Sequence, residues 1–585
     1  METQQLEHIR HSLAHLLAKA VTDLYPDALP TLGPAIDTGF YYDFQFSSPI
    51  SEKDFTKIEQ KMKEVAKHWK GFTKQDVTPQ EAKKHFEHNQ YKLELIGEIE
   101  AKGEPITLYT SGDGVYAFTD LCRGGHTADV PAIQAGSWKL ERVAGAYWRG
   151  DEKNTMLTRV YGLAFESKEA LEKYEWMMEE AKKRDHRIIG KTMKLFTVSE
   201  LIGVGLPLMQ PNGMIIRQEI ENYLWSLHKN KGYSRVWTPH IAKEALYETS
   251  GHASKFGDEL FRVQGKEEKF FMKPMNCRHH MQIFADNQFS YRDMPVRYFE
   301  PATIYRDEKK GQLSGLTRVR AITQDDGHLF CRMSQIKEEA SLIVSIIKEF
   351  YTTIGMFDGY WVRLSTRGED KNQYIGTEEN WATAENILED VAKENELNYR
   401  PGPGEAAFYG PKLDFMFKDA IGREWQLATI QCDFNLPERF DLSFVNEKGE
   451  KERPVVIHRA ISGSLERFMG VMIEHFAGNF PLWLSPVQVK VIPVRESHNA
   501  YAEKVHKALI DADIRSDFDD RDLNLGKKVR EAKNEKITYW CVIGDKEVES
   551  NNITLESRDT EKSEQISLET LIEKLETEIR EKKIK

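Results

Sequence analysis

The chain has 585 residues, 40% of them hydrophobic and 30% charged, with a formal net charge of -12. One hydrophobic core stops growing near ~250–300 residues, so about three or four domains are expected, and the aromatic content argues against extended disorder. The acidic balance excludes a protein that coats nucleic acid by bulk electrostatics, while local basic patches such as Lys527, Lys528 and Arg530 leave recognition of single-stranded RNA open.

No stretch reaches the ~18 apolar residues that span a bilayer. The start, METQQLEHIRHSLAHLL, has neither a basic leader nor a small-residue cleavage site, so a cytoplasmic protein with no membrane partner is expected. The five cysteines (Cys122, Cys277, Cys331, Cys432 and Cys541) are odd in number and never form Cys-x-x-Cys, which excludes a disulfide framework and a zinc ribbon. Any metal site must be assembled from distant segments.

Taken in chain order, residues 6–25 place Ile9, Leu13, Leu16, Leu17 and Ala20 at helical spacing, with His11 and His15 off that stripe. Mixed strands and loops are expected to about Gly162, with turns at Ser111-Gly-Asp-Gly114 and Arg123-Gly-Gly125. Residues 167–191 are dense in Glu and Lys and read as one connecting helix with a solvated face, Leu171, Tyr174, Met177 and Met178 lying on its other side. From 192 to about 484, amphipathic stretches alternate with short β-rich runs such as RYFEPATIYR and EWQLATIQCDF. Without βαβ periodicity, that mixture predicts an antiparallel sheet surrounded by helices. Residues 485–585 change pattern. VQVKVIPV alternates like a strand, AYAEKVHKALIDA has helical spacing through Tyr501, Val505, Ala508 and Ala512, and ITYWCVIG is an apolar strand. A last helix carries Leu568, Leu571, Ile572, Leu575 and Ile579, closing a small α/β domain. The fold class is α+β multidomain, divided at 1–166, 167–191, 192–484 and 485–585.

The central block resembles a class II aminoacyl-tRNA synthetase. GYSRVWTPHI with Pro239 resembles motif 1, RYFEPATIYRDE followed by GLTRVRAITQDDGHLFC motif 2, and GSLERFMGVMIEHFAG motif 3, in the family's order. Adenylate formation is attack of a carboxylate on the α-phosphate of ATP, and arginines suit it because their planar fork neutralises phosphate and carboxylate bidentately without losing charge. The resemblance implies Arg306 at the α-phosphate and substrate carboxylate, Glu308 at the adenine, Arg318 and Arg467 at the outer phosphates, and Mg2+ accompanying the ATP.

Three further residues turn the resemblance toward threonyl-tRNA synthetases. Cys277 in FMKPMNCRHHMQIF, His328 in QDDGHLF and His458 in VVIHRAISGS align with that family's zinc ligands. A Cys-His-His set leaves one coordination position open, and threonine would fill it through its amino group and hydroxyl. A site built for a hydroxyl rejects its absence by about 10⁴–10⁵, so valine is excluded, whereas serine, short of one methyl group, leaks through. Asp326, Tyr409, Gln426, Lys412, Gln431 and Met275 would line the amino-acid and nucleotide pocket, and His252 resembles the histidine that assists transfer to tRNA.

Leakage of serine calls for a hydrolytic site. His11-x-x-x-His15 and Cys122-x-x-x-His126 resemble the family's editing domain, with Lys92, Asp120, Asp37 and Tyr42 at other positions of that pocket. Two readings stand: a zinc site of three His and one Cys, or a metal-free pocket that orients a water onto the seryl ester, the second being preferred. Near the C-terminus, Arg530 and Glu547 fall where the family contacts anticodon bases. A further arginine usual there is Glu556 here, with Arg558 two residues on and on the same strand face.

The resemblance lacks the small ubiquitin-like module at the extreme N-terminus. Arg278-His279-His280 stands for the usual Pro-Gly-His, and Leu427-Ala428 for Cys-Gly. These departures suggest a variant enzyme, a second copy tolerant of an inhibitor. The implied partners are tRNA(Thr), ATP and L-threonine, with a homodimer formed through motif 1. The rivals are a prolyl or seryl enzyme, and a non-catalytic RNA-binding paralogue.

Overall fold

The computed structural model describes residues 3–249 and 259–584. Helix α1 (Thr3–Leu24) carries the predicted stripe, but its burial is wider: every residue from Ser12 to Val21 is buried. His15 is therefore enclosed rather than turned to solvent. Strand β1 (Gly39–Gln45) packs Phe40, Tyr42 and Phe44 into the same core as Leu13, Leu16 and Leu17. Strands and loops were expected next, yet two substantial helices follow, α2 (Phe55–Ala66) and α3 (Gln90–Ala101). The first buries Phe55, Ile58, Met62 and Val65 at helical spacing, and the second is capped by Asn89, which accepts from the Tyr91 and Lys92 amides. A small sheet pairs β2 (Ile106–Ser111) with β3 (Phe118–Leu121). Strands β4 (Trp138–Tyr147) and β5 (Met156–Ala164) extend the β1 sheet in antiparallel pairing. Asp43, inside that sheet, is matched by bidentate bonds from Arg159 at 2.7 and 2.8 Å.

These elements belong to the first of two compact units, Met1–Glu179; the second is Glu180–Lys585. The predicted single connecting helix is two: α4 (Lys168–Lys183) and α5 (His186–Thr192). The break falls at Asp185, whose carboxylate caps the second helix through the Arg187 amide. Of the side expected to pack, only Leu171 is buried, and Met178 is exposed.

In the second unit, α6 (Pro211–Lys229) leads to β6 (Tyr233–Arg235), α7 (Cys277–Ala285), β7 (Val296–Tyr305) and β8 (Ala321–Cys331). The apolar α8 (Ile336–Ile354) follows, then β9 (Trp361–Thr366), β10 (Tyr399–Pro403), β11 (Lys412–Lys418), β12 (Glu424–Asp433), β13 (Val455–Ser464) and α9 (Leu465–His475). The eight strands form one sheet in the order β6-β7-β8-β13-β12-β11-β9-β10, antiparallel except at its two ends. This is the predicted helix-flanked sheet, with α8 among the helices packed against it. Its register decides function, because His328 lies directly opposite His458, and Gln431 opposite His458 on the other side.

Beyond Leu484 a five-stranded sheet is built from β14 (Val489–Pro493), β15 (Ser516–Phe518), β16 (Tyr539–Ile543), β17 (Ile553–Ser557) and β18 (Thr560–Ile566), in the order β15-β14-β16-β17-β18. Helices α10 (Asn499–Asp511), α11 (Leu525–Asn534) and α12 (Leu568–Arg580) accompany it. Alternation was expected in β14, but all five residues are buried, because α10 and α11 both pack on this parallel strand. Lys490 is accommodated there by Glu535 at 2.6 Å and Asp517 at 3.2 Å. In α10 the buried stripe is Ala502, Val505 and Leu509, which keeps Val505 of the predicted set but takes the next residues after Tyr501 and Ala508. Arg558 lies past the end of β17, after a register shift between Glu556 and Ser557, so it does not share a strand face with Glu556 as expected. Among the described residues no helix is long and apolar enough to cross a membrane.

Candidate functional site

Where β8, β12, β13 and α9 meet, a cavity of about 600 Å3 is lined by Arg306, Glu308, Arg318, Gln426 and Arg467, which the sequence places up to 161 positions apart. Strand β13 runs into α9 at Ser464, whose hydroxyl caps the helix by accepting the Arg467 amide at 3.2 Å. That cap fixes Arg467 in the first turn, with its guanidinium 5.7 Å from the centre of the Trp425 ring. Burial lowers the pKa of Arg467, and the nearby Arg318 lowers it further. Burial also lowers the pKa of Arg306, only partly opposed by Glu259 and Glu308. Arg318 is paired with Glu308. Three guanidinium groups facing one carboxylate make this a cavity for an anion.

In the same unit Cys277, His328 and His458, all buried, bring one ligand atom each within 4.8 Å of one another. Cys277 opens α7, and the two histidines are cross-strand partners. Their outer nitrogens are held from behind. His328 Nδ1 is 2.8 Å from His280 Nδ1, and His280 Nε2 is 3.0 Å from Glu300 Oε2. A carboxylate can only accept, so a neutral His280 donates from Nε2, accepts at Nδ1, and leaves His328 Nε2 as an unprotonated donor atom; that nitrogen is buried with no hydrogen-bond partner. His458 Nε2 meets Asp433 Oδ2 at 2.8 Å, leaving Nδ1 to face Cys277. Burial works against a charged His458, yet the Cys277 sulfur and Asp433 outweigh it and lift the imidazole to about 10. Cys277 and Asp433 thus favour positive charge at His458, and a thiol with two imidazoles is the donor set of a transition metal.

Residues expected around the amino acid gather here. Asp326 Oδ2 is buried without a hydrogen bond, 3.7 Å from His328 Nδ1, and burial raises its pKa. The Tyr409 hydroxyl donates to Gln431 Oε1 at 2.5 Å, and its ring lies 5.1 Å from His458. Met275 packs in the cluster containing Cys277. Lys412 is engaged by Asp414 at 2.9 Å. His252 lies outside the described residues. Sequence reasoning missed Asp433, His280 and Glu300; only a buried-polar pattern in otherwise apolar strands could have signalled them.

The first unit holds a second cavity, of about 340 Å3, lined by His11, His15, Lys92, Asp120 and Cys122. With His126, the two histidines and Cys122 again place ligand atoms within 4.8 Å of one another. Cys122 Sγ is 3.2 Å from His126 Nε2 and 3.5 Å from His11 Nε2. Burial holds all three imidazoles below their ordinary pKa, His126 down to about 2, and pushes the Cys122 thiol up to about 11. Beside them Lys92 pairs with Asp120, and the Tyr42 hydroxyl donates to Asp120 at 2.5 Å. Asp37 is exposed and does not line this cavity.

In the C-terminal sheet Arg530 is exposed on α11. Glu547 is buried, its carboxylate accepting the Gly544 amide at 2.9 Å and the Thr554 hydroxyl at 2.6 Å. Glu556 accepts the Trp540 indole N–H at 2.7 Å, and Arg558 holds the Lys536 and Phe480 carbonyls.

An antiparallel sheet with an arginine-lined cavity on it, followed by an α/β domain, defines a class II aminoacyl-tRNA synthetase. Residues 261–476 match the family described as tRNA synthetase class II core domain (G, H, P, S and T), and residues 488–578 the Anticodon binding domain family. The chain is 45% identical over 557 residues to a Threonine--tRNA ligase of Deinococcus radiodurans, covering 94% of this chain and 85% of that protein. It is 46% identical to a Threonine--tRNA ligase of Cytophaga hutchinsonii, covering 97% and 88%. Among solved structures it resembles the RNA binding domain of threonyl-tRNA synthetase from Cryptosporidium parvum, with a TM-score of 0.65, 35% identity, and coverage of 67% of this chain and 98% of that one. The chain belongs to the threonyl-tRNA synthetase family.

Proposed function

We propose that this protein joins L-threonine to tRNA(Thr) with ATP and hydrolyses Ser-tRNA(Thr) in its first unit. The threonine carboxylate attacks the α-phosphate of ATP, forming threonyl-adenylate and releasing pyrophosphate; a terminal ribose hydroxyl of the tRNA then takes the threonyl group and AMP leaves. Arg306 orients carboxylate and α-phosphate, and Arg318 and Arg467 bind the outer phosphates, where Mg2+ accompanies the nucleotide. Glu308 and Gln426 hold the adenosine end. Asp326, Tyr409, Gln431 and Met275 surround the amino acid, Lys412 borders it, and His252 assists transfer. Cys277, His328 and His458 would hold Zn2+, which would supply a Lewis acid for the amino and hydroxyl groups of threonine. The unpartnered His328 nitrogen and the preference for positive charge at His458 support that assignment.

In the first unit, hydrolysis adds one water across the seryl ester and returns serine and free tRNA. Neutral His11, His15 and His126 orient the water, Cys122 anchors them, and Lys92, fixed by Asp120, stabilises the developing negative charge. Arg530 and Glu547, the latter bracing the turn at Gly544, contribute to anticodon recognition in the C-terminal domain. Trp237, exposed within the motif 1 stretch, supports a homodimer. We assign the protein to the cytoplasm.

The observation that carries this reading is the convergence of Cys277, His328 and His458 in the unit that holds the arginine cavity. Pyrophosphate exchange measured with each of the twenty amino acids should proceed with threonine and fall by at least about 10²-fold in Cys277→Ala, the size of an electrostatic group lost from an active site. Undiminished exchange in that variant would overturn the metal role, and exchange driven by proline alone would overturn the substrate.

A further inference from the structure

Outside these cavities a buried polar knot stands at the start of the second unit. His186, the first residue of α5, is 3% exposed, and both ring nitrogens are engaged. Nδ1 lies 2.6 Å from Glu474 Oε1, and Nε2 lies 3.0 Å from the backbone nitrogen of Leu316. A peptide N–H can only donate, so Nε2 is the acceptor and the ring proton sits on Nδ1, given to Glu474. Glu474 also accepts the His186 amide at 3.2 Å and, through its other oxygen, Arg423 at 2.5 Å. Arg423 in turn holds Asp419 at 2.7 Å, which accepts the Trp425 indole N–H at 3.0 Å.

Both ends of this chain reach the nucleotide cavity. Leu316 lies between Ser314 and Arg318 in the loop that lines it, and Trp425 lines it from β12. The loop is seated closely. Gly315 has φ +48, and a Cβ there would stand 2.1 Å from His186 Nε2. A Cβ on Gly470 of α9 would meet Thr317, Leu316 and His186 at 3.2–3.7 Å. Asp185, His186 and Glu474 lie near enough together to suggest a cation site, but His186 has no nitrogen left to offer one.

We propose that His186 is a positioning residue for the nucleotide site: by accepting the Leu316 N–H it clamps residues 314–318 against α9 and so sets Arg318 toward the phosphates. The proposal rests on the reading of that cavity as the ATP site. Leu316 is fully buried, so its N–H left without this acceptor would carry the desolvation cost of an unpaired donor, and the loop would move to find another.

The test compares two replacements. In His186→Asn the amide reaches Glu474 but not Leu316, whereas in His186→Gln it can extend to the Leu316 N–H. ATP affinity measured by calorimetry, without amino acid, should weaken about tenfold (~1.4 kcal/mol) in the Asn variant and stay within about threefold of the parent in the Gln variant. KM for threonine should move by less than about twofold in either, a split that general loss of stability does not produce. Parental ATP affinity in a folded Asn variant, or equal losses in Asn and Gln, would overturn the clamp. If the Asn variant does not fold, Gly315→Ala decides, because its methyl group pushes the loop off His186: weakened ATP binding supports the clamp and parental binding overturns it. A parent that binds ATP but activates an amino acid other than threonine would fault the substrate assignment and leave the clamp standing.

Discussion

His328 uses its two nitrogens for different purposes, and the residue behind it decides which is free. Glu300 fixes the proton of His280, His280 fixes that of His328, and Asp433 does the same service for His458. Such outer partners hold ring orientation and raise ligand basicity, and losing one costs about 10–100-fold in metal affinity. Asp433→Asn keeps the size of the side chain but removes the full charge and one acceptor. Zinc affinity measured by competition with a chromogenic chelator should fall by that factor; an affinity within twofold of the parent would mean that Asp433 merely packs. The convergence of Cys277, His328 and His458 was legible in the sequence because they sit inside family motifs. Their partners were not, since a hydrogen bond across strands depends on register, and Asp433, His280 and Glu300 carry no mark of register in their own segments. Arg278 and His279, where Pro-Gly is usual, are likewise buried beside Cys277, and the Arg278 guanidinium lies 4.9 Å from the Tyr247 ring centre.

Strand β13 and helix α9 act as one element, because the strand that carries His458 turns directly into the helix that carries Arg467. Asp325 accepts the Ile461, Ser462 and Gly463 amides at 2.7, 3.1 and 2.8 Å, pinning the turn, and Gly463, at φ +71 with a virtual Cβ 2.7 Å from the Leu427 carbonyl, leaves no room for a side chain. Ser464 completes the junction as N-cap. Replacing it by Ala should cost about 1 kcal/mol, roughly fivefold in the local opening equilibrium. Hydrogen exchange of the α9 amides checks this, with faster exchange expected in the first turn and none at α12; uniform change across both helices would assign the effect to global stability. At this scale the periodic segments were readable, α1 and α12 among them, because one face of each meets the core. Helices α2 and α3 escaped notice because their buried positions are spread through runs of Lys and Glu, and the widely buried face of α1 was underestimated because polar Ser12, His15 and Lys19 are interior only where Asp120 and the β2–β3 hairpin come to meet them.

At the scale of the whole molecule two sites divide one discrimination problem. In the reading proposed above, a metal that requires a hydroxyl would separate threonine from valine, but serine offers the same hydroxyl and amine and lacks only a methyl group, worth ~1–3 kcal/mol or about 10–200-fold. Serine should therefore support pyrophosphate exchange with kcat/KM lower than that of threonine by about that factor. Mischarged tRNA must then be removed by chemistry that does not depend on the first selection. The cavity of His11, His15, Cys122 and His126, which we propose for this step, offers imidazoles whose pKa burial lowers and a Lys92 whose partners Asp120 and Tyr42 fix it in place. In a His11→Ala, His15→Ala double variant, Ser-tRNA(Thr) should accumulate under turnover with serine, while threonine-dependent exchange stays within about twofold of the parent because the proposed adenylate site lies in the other compact unit. Acid-gel separation of charged tRNA after incubation with serine reads the first outcome and pyrophosphate exchange the second. If Ser-tRNA(Thr) is cleared by the double variant as fast as by the parent, hydrolysis does not occur in this cavity. If both activities fall together, the two histidines hold the fold instead of orienting the water.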